Sequence, residues 1–146
     1  MSAQGFVDDY LTYLLARASH LISSEFHAIV EAKGLSLMEW RVMASLSGKK
    51  HLSIKDLADI VLAKQPTVTK LVGRMQEAGW VKRCDAPHDK RQSLVSLTAA
   101  GRRKVQPLLV QAKAHEAQVV AKLGADPAAQ LKRVLERLIH AQSVSC

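Results

Sequence analysis

Gln65-Pro66-Thr67-Val68-Thr69-Lys70-Leu71-Val72 follows Ser53-Ile54-Lys55-Asp56-Leu57-Ala58-Asp59-Ile60-Val61 after only three residues, and this pair of segments decides the fold. Ser53 with Asp56 three positions on reads as a capping box, opening a short helix with Ile54, Leu57, Ala58 and Val61 inward. Leu62-Ala63-Lys64-Gln65 leaves room only for a tight connection. Pro66 suits the first position of a second helix, where its missing N–H would have no partner in any case. Val68, Leu71, Val72 and Met75 give that helix one buried stripe, and Gly79 stops it. A short helix, a tight turn and a second helix make a helix-turn-helix.

The face opposite that stripe carries Gln65, Thr67, Thr69, Lys70 and Arg74, with Pro66 at its start. Gln bonds adenine edges in a bidentate way, Thr bonds bases or touches a thymine methyl, and Lys and Arg hold phosphates or guanine. Thr67-Val68-Thr69 is poor helix chemistry, because β-branched side chains lose rotamer freedom against the preceding turn. Contact with a partner explains exposed Thr there better than stability does. The plainer reading is an ordinary polar surface.

Downstream, Trp80-Val81-Lys82-Arg83-Cys84 and Ser93-Leu94-Val95-Ser96-Leu97 read as two strands, joined by a polar loop from Asp85 to Gln92. The tip, His88-Asp89-Lys90-Arg91-Gln92, is more basic than a simple connector requires. Narrow minor grooves concentrate negative potential and attract Arg, so Arg91 is the groove candidate. Asp89 would repel a phosphate and is assigned to orienting Arg91, by an ion pair or by accepting backbone N–H bonds. A solvated charged turn is the plainer alternative.

Charge placement favours a polyanionic partner. The 146 residues carry a formal +8, and residues 64–104 alone hold ten Lys and Arg against three acids, a net of +7. Residues 1–63 hold six basic and seven acidic side chains, and residues 105–146 hold five and three. A basic segment between nearly neutral flanks is an electrostatic footprint for nucleic acid. Two cysteines make neither a disulfide framework nor a metal cluster, and their scarcity fits a reducing compartment. No apolar run approaches the roughly 18 residues of a membrane span, and no signal-peptide pattern opens the chain, so a cytoplasmic protein is expected.

The flanks are helical. Phe6, Val7, Tyr10, Leu11, Leu14, Leu15, Ala18, Leu21, Ile22, Phe26, Ile29 and Val30 keep helical spacing over 6–32, with Gly34 as C-terminal cap. Ser36 and Glu39 form another capping box, opening a helix through Trp40, Val42, Met43 and Leu46 that breaks at Gly48 and Lys49-Lys50-His51. Thr98 caps a long helix through Val105, Leu108, Leu109, Ala112, Val119, Val120 and Leu123, with a kink expected at Pro107. Gly124, Asp126 and Pro127 mark a restart, and a last helix over 128–142 is expected to bury Leu131, Val134, Leu135, Leu138 and Ile139. The helices at 6–32, 104–123 and 128–142 carry more apolar surface than one small domain leaves to water, which predicts pairing between two chains. A two-fold dimer in turn predicts a pseudo-palindromic site with half-sites about 10 bp apart.

The order of elements, Gln65-Pro66-Thr67-Val68-Thr69-Lys70-Leu71-Val72 with Gly79 closing the helix, and Asp89-Lys90-Arg91 followed by Leu97-Thr98-Ala99-Ala100-Gly101 together resemble the MarR (multiple antibiotic resistance regulator) family over essentially the whole chain. The resemblance implies a mainly α fold with a small β-hairpin wing. Within 1–146 it implies dimerisation helices at 1–34 and 104–146 around a winged helix-turn-helix lobe at 36–101. It further implies a homodimeric repressor released from operator DNA by a small ligand, with Arg91 entering the minor groove, Asp89 holding it, and the helix from Pro66 in the major groove. By the same analogy a ligand pocket is expected from Tyr10, Leu14, Arg17, Trp40 and Met43. There Arg17 would meet an anionic ligand and Trp40 would stack on an aromatic ring, an aromatic carboxylate or phenolic compound being the expected class. The plainer roles are an interface ion pair for Arg17 and core packing for Trp40.

Peroxide sensors of this family use a reactive cysteine in the first helix, where this chain has none. Cys84, between Arg83 and Asp85, and the terminal Cys146 are read as non-functional, although oxidation at Cys84 would disturb the hairpin. The histidines at 20, 27, 51, 88, 115 and 140 form no short ligand pair, so no metal is expected. No nucleophile–base pair, phosphate loop or paired carboxylates can be assembled, which argues against an enzyme. A winged-helix protein-interaction module without specific DNA readout is the alternative, disfavoured by the intact basic face.

Overall fold

The computed structural model describes residues 5–86 and 89–143. The chain divides into two compact units, Met1–Val110 and Gln111–Cys146. The helices are α1 (Leu11–Ala32), α2 (Leu37–Ser47), α3 (Ile54–Val61), α4 (Gln65–Glu77), α5 (Ala99–Leu123) and α6 (Ala125–Ser143). The strands β1 (Leu52–Ser53), β2 (Val81–Ala86) and β3 (Asp89–Leu97) form one antiparallel sheet in the order β1-β3-β2. Mostly helical with a small hairpin sheet, this is the expected fold class.

The first helix begins later than its periodicity suggests. Phe6–Asp9 is a separate 3-10 turn, closed by the Gly5 N–H donating to Asp8 Oδ2 at 2.7 Å. Tyr10 is extended, its ring 4.9 Å from that of Phe6, and its carbonyl accepts the first α1 bond from Leu14. At the other end Gly34 N donates to Glu31 O and Leu35 N to Val30 O, the paired bonds of a Schellman stop. The Ser36–Glu39 capping box opens α2 with both reciprocal bonds, at 2.9 and 3.1 Å.

At α3 only half the expected box exists: Ser53 Oγ accepts from Asp56 N at 3.0 Å, without the return bond from the carboxylate. Asp is one methylene shorter than Glu, so its carboxylate has less reach back to the cap. Leu52 and Ser53 also pair with Val95 and Leu94, a two-residue strand that no local pattern announced. Helix α4 opens at Gln65, which puts Pro66 at the second rather than the first position; the N–H it lacks is still one with no intrahelical partner.

Both hairpin strands run further than the sequence reading allowed, through Ala86 and from Asp89, so most of the expected 85–92 loop is ladder. Pairing is regular from Val81↔Leu97 to Asp85↔Ser93 and then jumps to Ala86↔Asp89. Residues 90–92 therefore have no partner on β2, an insertion in one strand that bends and twists the ribbon.

Gly79 ends α4 at φ +84°, with Gly79 N donating to Gln76 O and Trp80 N to Met75 O. Thr98 then ties three elements together. Its N–H donates to Trp80 O at 3.0 Å, its hydroxyl donates to Gly79 O at 2.6 Å, and the same oxygen caps α5 by accepting from Gly101 N at 3.0 Å. Gly101 is required sterically, because a Cβ there would sit 2.0 Å from Trp80 O. The Leu-Thr-x-x-Gly stretch is thus a clasp joining the end of α4, the hairpin and the start of α5.

The core of the first unit is apolar throughout. Val30, Val42, Met43, Leu57, Val61, Val68, Val72, Met75, Val95 and Leu108 are completely buried, and no polar side chain is buried among the described residues. Pro107 lies inside α5, which continues to Leu123. In the second unit the Gly124 carbonyl accepts from Ala128 N, so α6 starts at Ala125 rather than 128 and Pro127 falls in the first turn. The expected burial along α6 fails within one chain: Leu131, Val134 and Ile139 are 46, 54 and 64% exposed, Leu135 and Leu138 are half-buried, and only Ala128 is buried. Among the described residues nothing covers that stripe. Glu116 and Lys132 pair at 3.0 Å, both well exposed.

Candidate nucleic-acid interface

Helix α4 is held by one face and presents the other. Val68, Leu71, Val72 and Met75 sit in the core, which leaves Gln65, Pro66, Thr67, Thr69, Lys70 and Arg74 all exposed. Thr67, Lys70 and Arg74 follow three- and four-residue spacing along one side, and Gln65 and Thr69 are four apart beside them. The helix macrodipole adds positive character at the end carrying Gln65 and Thr67.

The turn before α4 is tight because Leu62 adopts the left-handed region, φ 62° and ψ 44°, and Ala63 N donates back to Ala58 O. Leu62 is 84% exposed, so no burial offsets that conformation. A non-glycine residue there costs about 1–2 kcal/mol.

Of the hairpin candidates, Gln92 is exposed on β3. His88 lies outside the described residues, as do the side chains of Asp89, Lys90 and Arg91; the backbone of those three belongs to β3. The Asp89–Arg91 pairing expected from the sequence is therefore outside the described residues too. The clasp at Thr98 and Gly101 fixes the base of the hairpin to the end of α4, and Lys104 Nζ lies 5.5 Å from the Trp80 ring centroid. Two groups that the sequence reading did not single out also face this region: Lys55 at the start of α3 and Arg83 on β2 line a hollow with Gln65, Thr69 and Gln92. Separated by almost thirty positions, they carry no local signal of proximity.

The expected ligand residues are scattered in character. Tyr10, Leu14 and Arg17 are exposed, and Arg17 Nη1 donates to Tyr13 Oη at 3.4 Å. Trp40 is half-buried, with its ring 5.2 Å from that of Phe26. Met43 is completely buried. Cys84 is exposed and free on β2, opposite Leu94, whereas Cys146 lies outside the described residues. Among the described residues no three His, Cys, Asp or Glu side chains are grouped to hold a metal ion, and no helix is long and apolar enough to cross a membrane.

Residues 33–92, from the end of α1 through Gln92, match the sequence model of the MarR family. The chain is 30% identical over 135 residues to the HTH-type transcriptional repressor Rv2887 of Mycobacterium tuberculosis, covering 92% of this chain and 97% of that protein. It is 29% identical over 131 residues to the homoprotocatechuate degradative operon repressor of Escherichia coli, covering 90 and 88%. Among solved structures, the MarR family transcriptional regulator SPO1453 from Silicibacter pomeroyi superposes with a TM-score of 0.86 at 37% identity, covering 95% of this chain and 99% of that one.

Proposed function

The chain belongs to the MarR family, and from that premise we propose that it is a homodimeric, sequence-specific repressor that binds a pseudo-palindromic operator and lets it go when a small aromatic or phenolic effector binds. The supporting observation is α4 itself, a helix whose inner face is locked in an apolar core while Gln65, Thr67, Thr69, Lys70 and Arg74 stand clear of it. In this reading α4 enters the major groove, Gln65 and the two threonines read base edges, and Lys70 and Arg74 hold phosphates. The hairpin places Arg91 in the adjacent minor groove, with His88, Lys90 and Gln92 along the backbone and Asp89 orienting Arg91.

Dimerisation follows from the uncovered apolar residues. Phe6, Leu11, Leu14, Leu21 and Ile22 in the first unit and Leu131, Val134 and Ile139 in the second are all exposed in the single chain. Burial against a second copy removes them from water at about 25 cal/mol per Å2 of apolar surface. The effector class rests on the similarity to a repressor of homoprotocatechuate degradation, and Tyr10, Leu14, Arg17 and Trp40 are assigned to its pocket. Met43, completely buried in the single chain, is assigned to the same pocket. The reading assigns no catalytic turnover, no metal and no cofactor, and a cytoplasmic location.

Selection of duplexes from a randomised pool tests this directly. A pseudo-palindrome with half-site centres about 10 bp apart is expected; a pool with no enriched sequence overturns the operator. On the selected duplex, Arg91→Ala is expected to weaken binding by about 1–3 kcal/mol. Unchanged affinity in that variant removes Arg91 from the groove.

A further inference from the structure

A hollow of about 190 Å3 opens between the start of α3, the outer face of α4 and the paired strands β2 and β3. Ser53, Lys55, Gln65, Thr69, Arg83, Gln92 and Ser93 line it, with no carboxylate among the described residues. Among the described residues neither Lys55 nor Arg83 has an acidic partner. The Ser53 oxygen already accepts the α3 capping bond, which leaves its O–H as a donor. Two cations, three hydroxyls and two amides thus converge from elements that the sequence keeps far apart. A neighbouring hollow on the other side of Arg83 has Asp85 and Cys84 in its wall, so an anion is disfavoured there.

The position of the hollow names its occupant. A protein that puts α4 in a major groove and the hairpin in the adjacent minor groove must straddle the sugar–phosphate strand that separates those grooves. That strand has to cross the surface between α4 and the β2–β3 hairpin, where the hollow lies. We propose that Lys55 and Arg83, assisted by Ser53 and Gln92, seat one backbone phosphate of bound duplex DNA in this hollow. The proposal rests on the DNA-binding reading above and adds two phosphate-positioning residues outside the α4 face and the hairpin tip. The contact fixes register and carries no base preference, because a phosphate is the same at every step.

Salt dependence separates this contact from base readout. Each neutralised phosphate contributes about 0.9 to the slope of log K against log salt. Lys55→Gln and Arg83→Gln are each expected to flatten the slope by an amount of that order per bound protomer. Each should weaken a selected duplex and an unrelated duplex by the same factor, while Arg83→Lys restores most of the slope. Unchanged slopes in both Gln variants, or a changed preference between duplexes, overturn the proposal. Should no duplex be preferred at all, the operator reading falls, yet the slopes on unrelated DNA still decide the phosphate seat. A free phosphate compound is the other source of the same chemistry. Replacing chloride by inorganic phosphate at matched ionic strength is expected to displace DNA no further. Stronger displacement by phosphate, lost in Arg83→Gln, would make a free anion the occupant and overturn the backbone assignment.

Discussion

Helices α4 and α6 are written in the same amphipathic code and end in opposite circumstances. Along α4 the apolar positions 68, 71, 72 and 75 are all buried, and the polar face stands in water. Along α6 the apolar positions 131, 134 and 139 are about half exposed or more, in a unit where Ala128 alone is buried among the described residues. The difference separates two jobs that a hydrophobic stripe performs. One stripe completes the core of its own lobe, so its opposite face is free to recognise something. The other is left uncovered by the described residues, and in the proposed dimer a second copy would cover it.

The largest expected effect strikes the uncovered stripe. Val134→Asp combined with Ile139→Asp should leave each chain folded, as seen by circular dichroism, while sedimentation shifts from dimer to monomer. Losing the linked second half-site should then weaken operator binding by a factor on the order of 10² to 10⁴. A variant that remains dimeric would mean that α6 is not the dimer surface, and the contrast between the helices would collapse.

The matching substitution in α4 should behave differently. Met75→Ala empties a completely buried position, and such truncations cost about 2–5 kcal/mol. Denaturation should show that loss at any protein concentration, because the stripe is satisfied inside one lobe. A loss that depended on concentration would place α4 in the dimer interface instead.

A smaller and sharper test concerns the clasp that holds α4 against the hairpin. Gly101→Ala drives a Cβ into Trp80 O, and overpacking of this kind costs about 1–3 kcal/mol. The same variant should loosen the hairpin base, read as faster amide exchange at Trp80 and Thr98, while leaving the association constant of the dimer unchanged. Wild-type stability and exchange would show that the approach of the two segments relaxes freely.

What the sequence determined was whatever a few consecutive residues can settle among themselves. Ser36 with Glu39, Gly79 with the last turn of α4, and Thr98 with Gly101 all act across three to five positions, so their spacing is their structure. The helix-turn-helix, the two main strands and the exposed set Gln65, Thr67, Thr69, Lys70 and Arg74 were legible on the same ground. Periodicity says which side of a helix is apolar, although not what will cover it, and this is why the expected burial along α6 failed within the chain. Only tertiary structure could make Leu52–Ser53 a strand, since its partner edge on β3 lies some forty positions away. Only tertiary structure could show that Gly101 is needed for a close approach to Trp80, or that Lys55 and Arg83 share one hollow with the outer face of α4. Local hydrogen bonds and apolar spacing are properties of short segments, whereas proximity across the chain exists only once the core has brought the segments together.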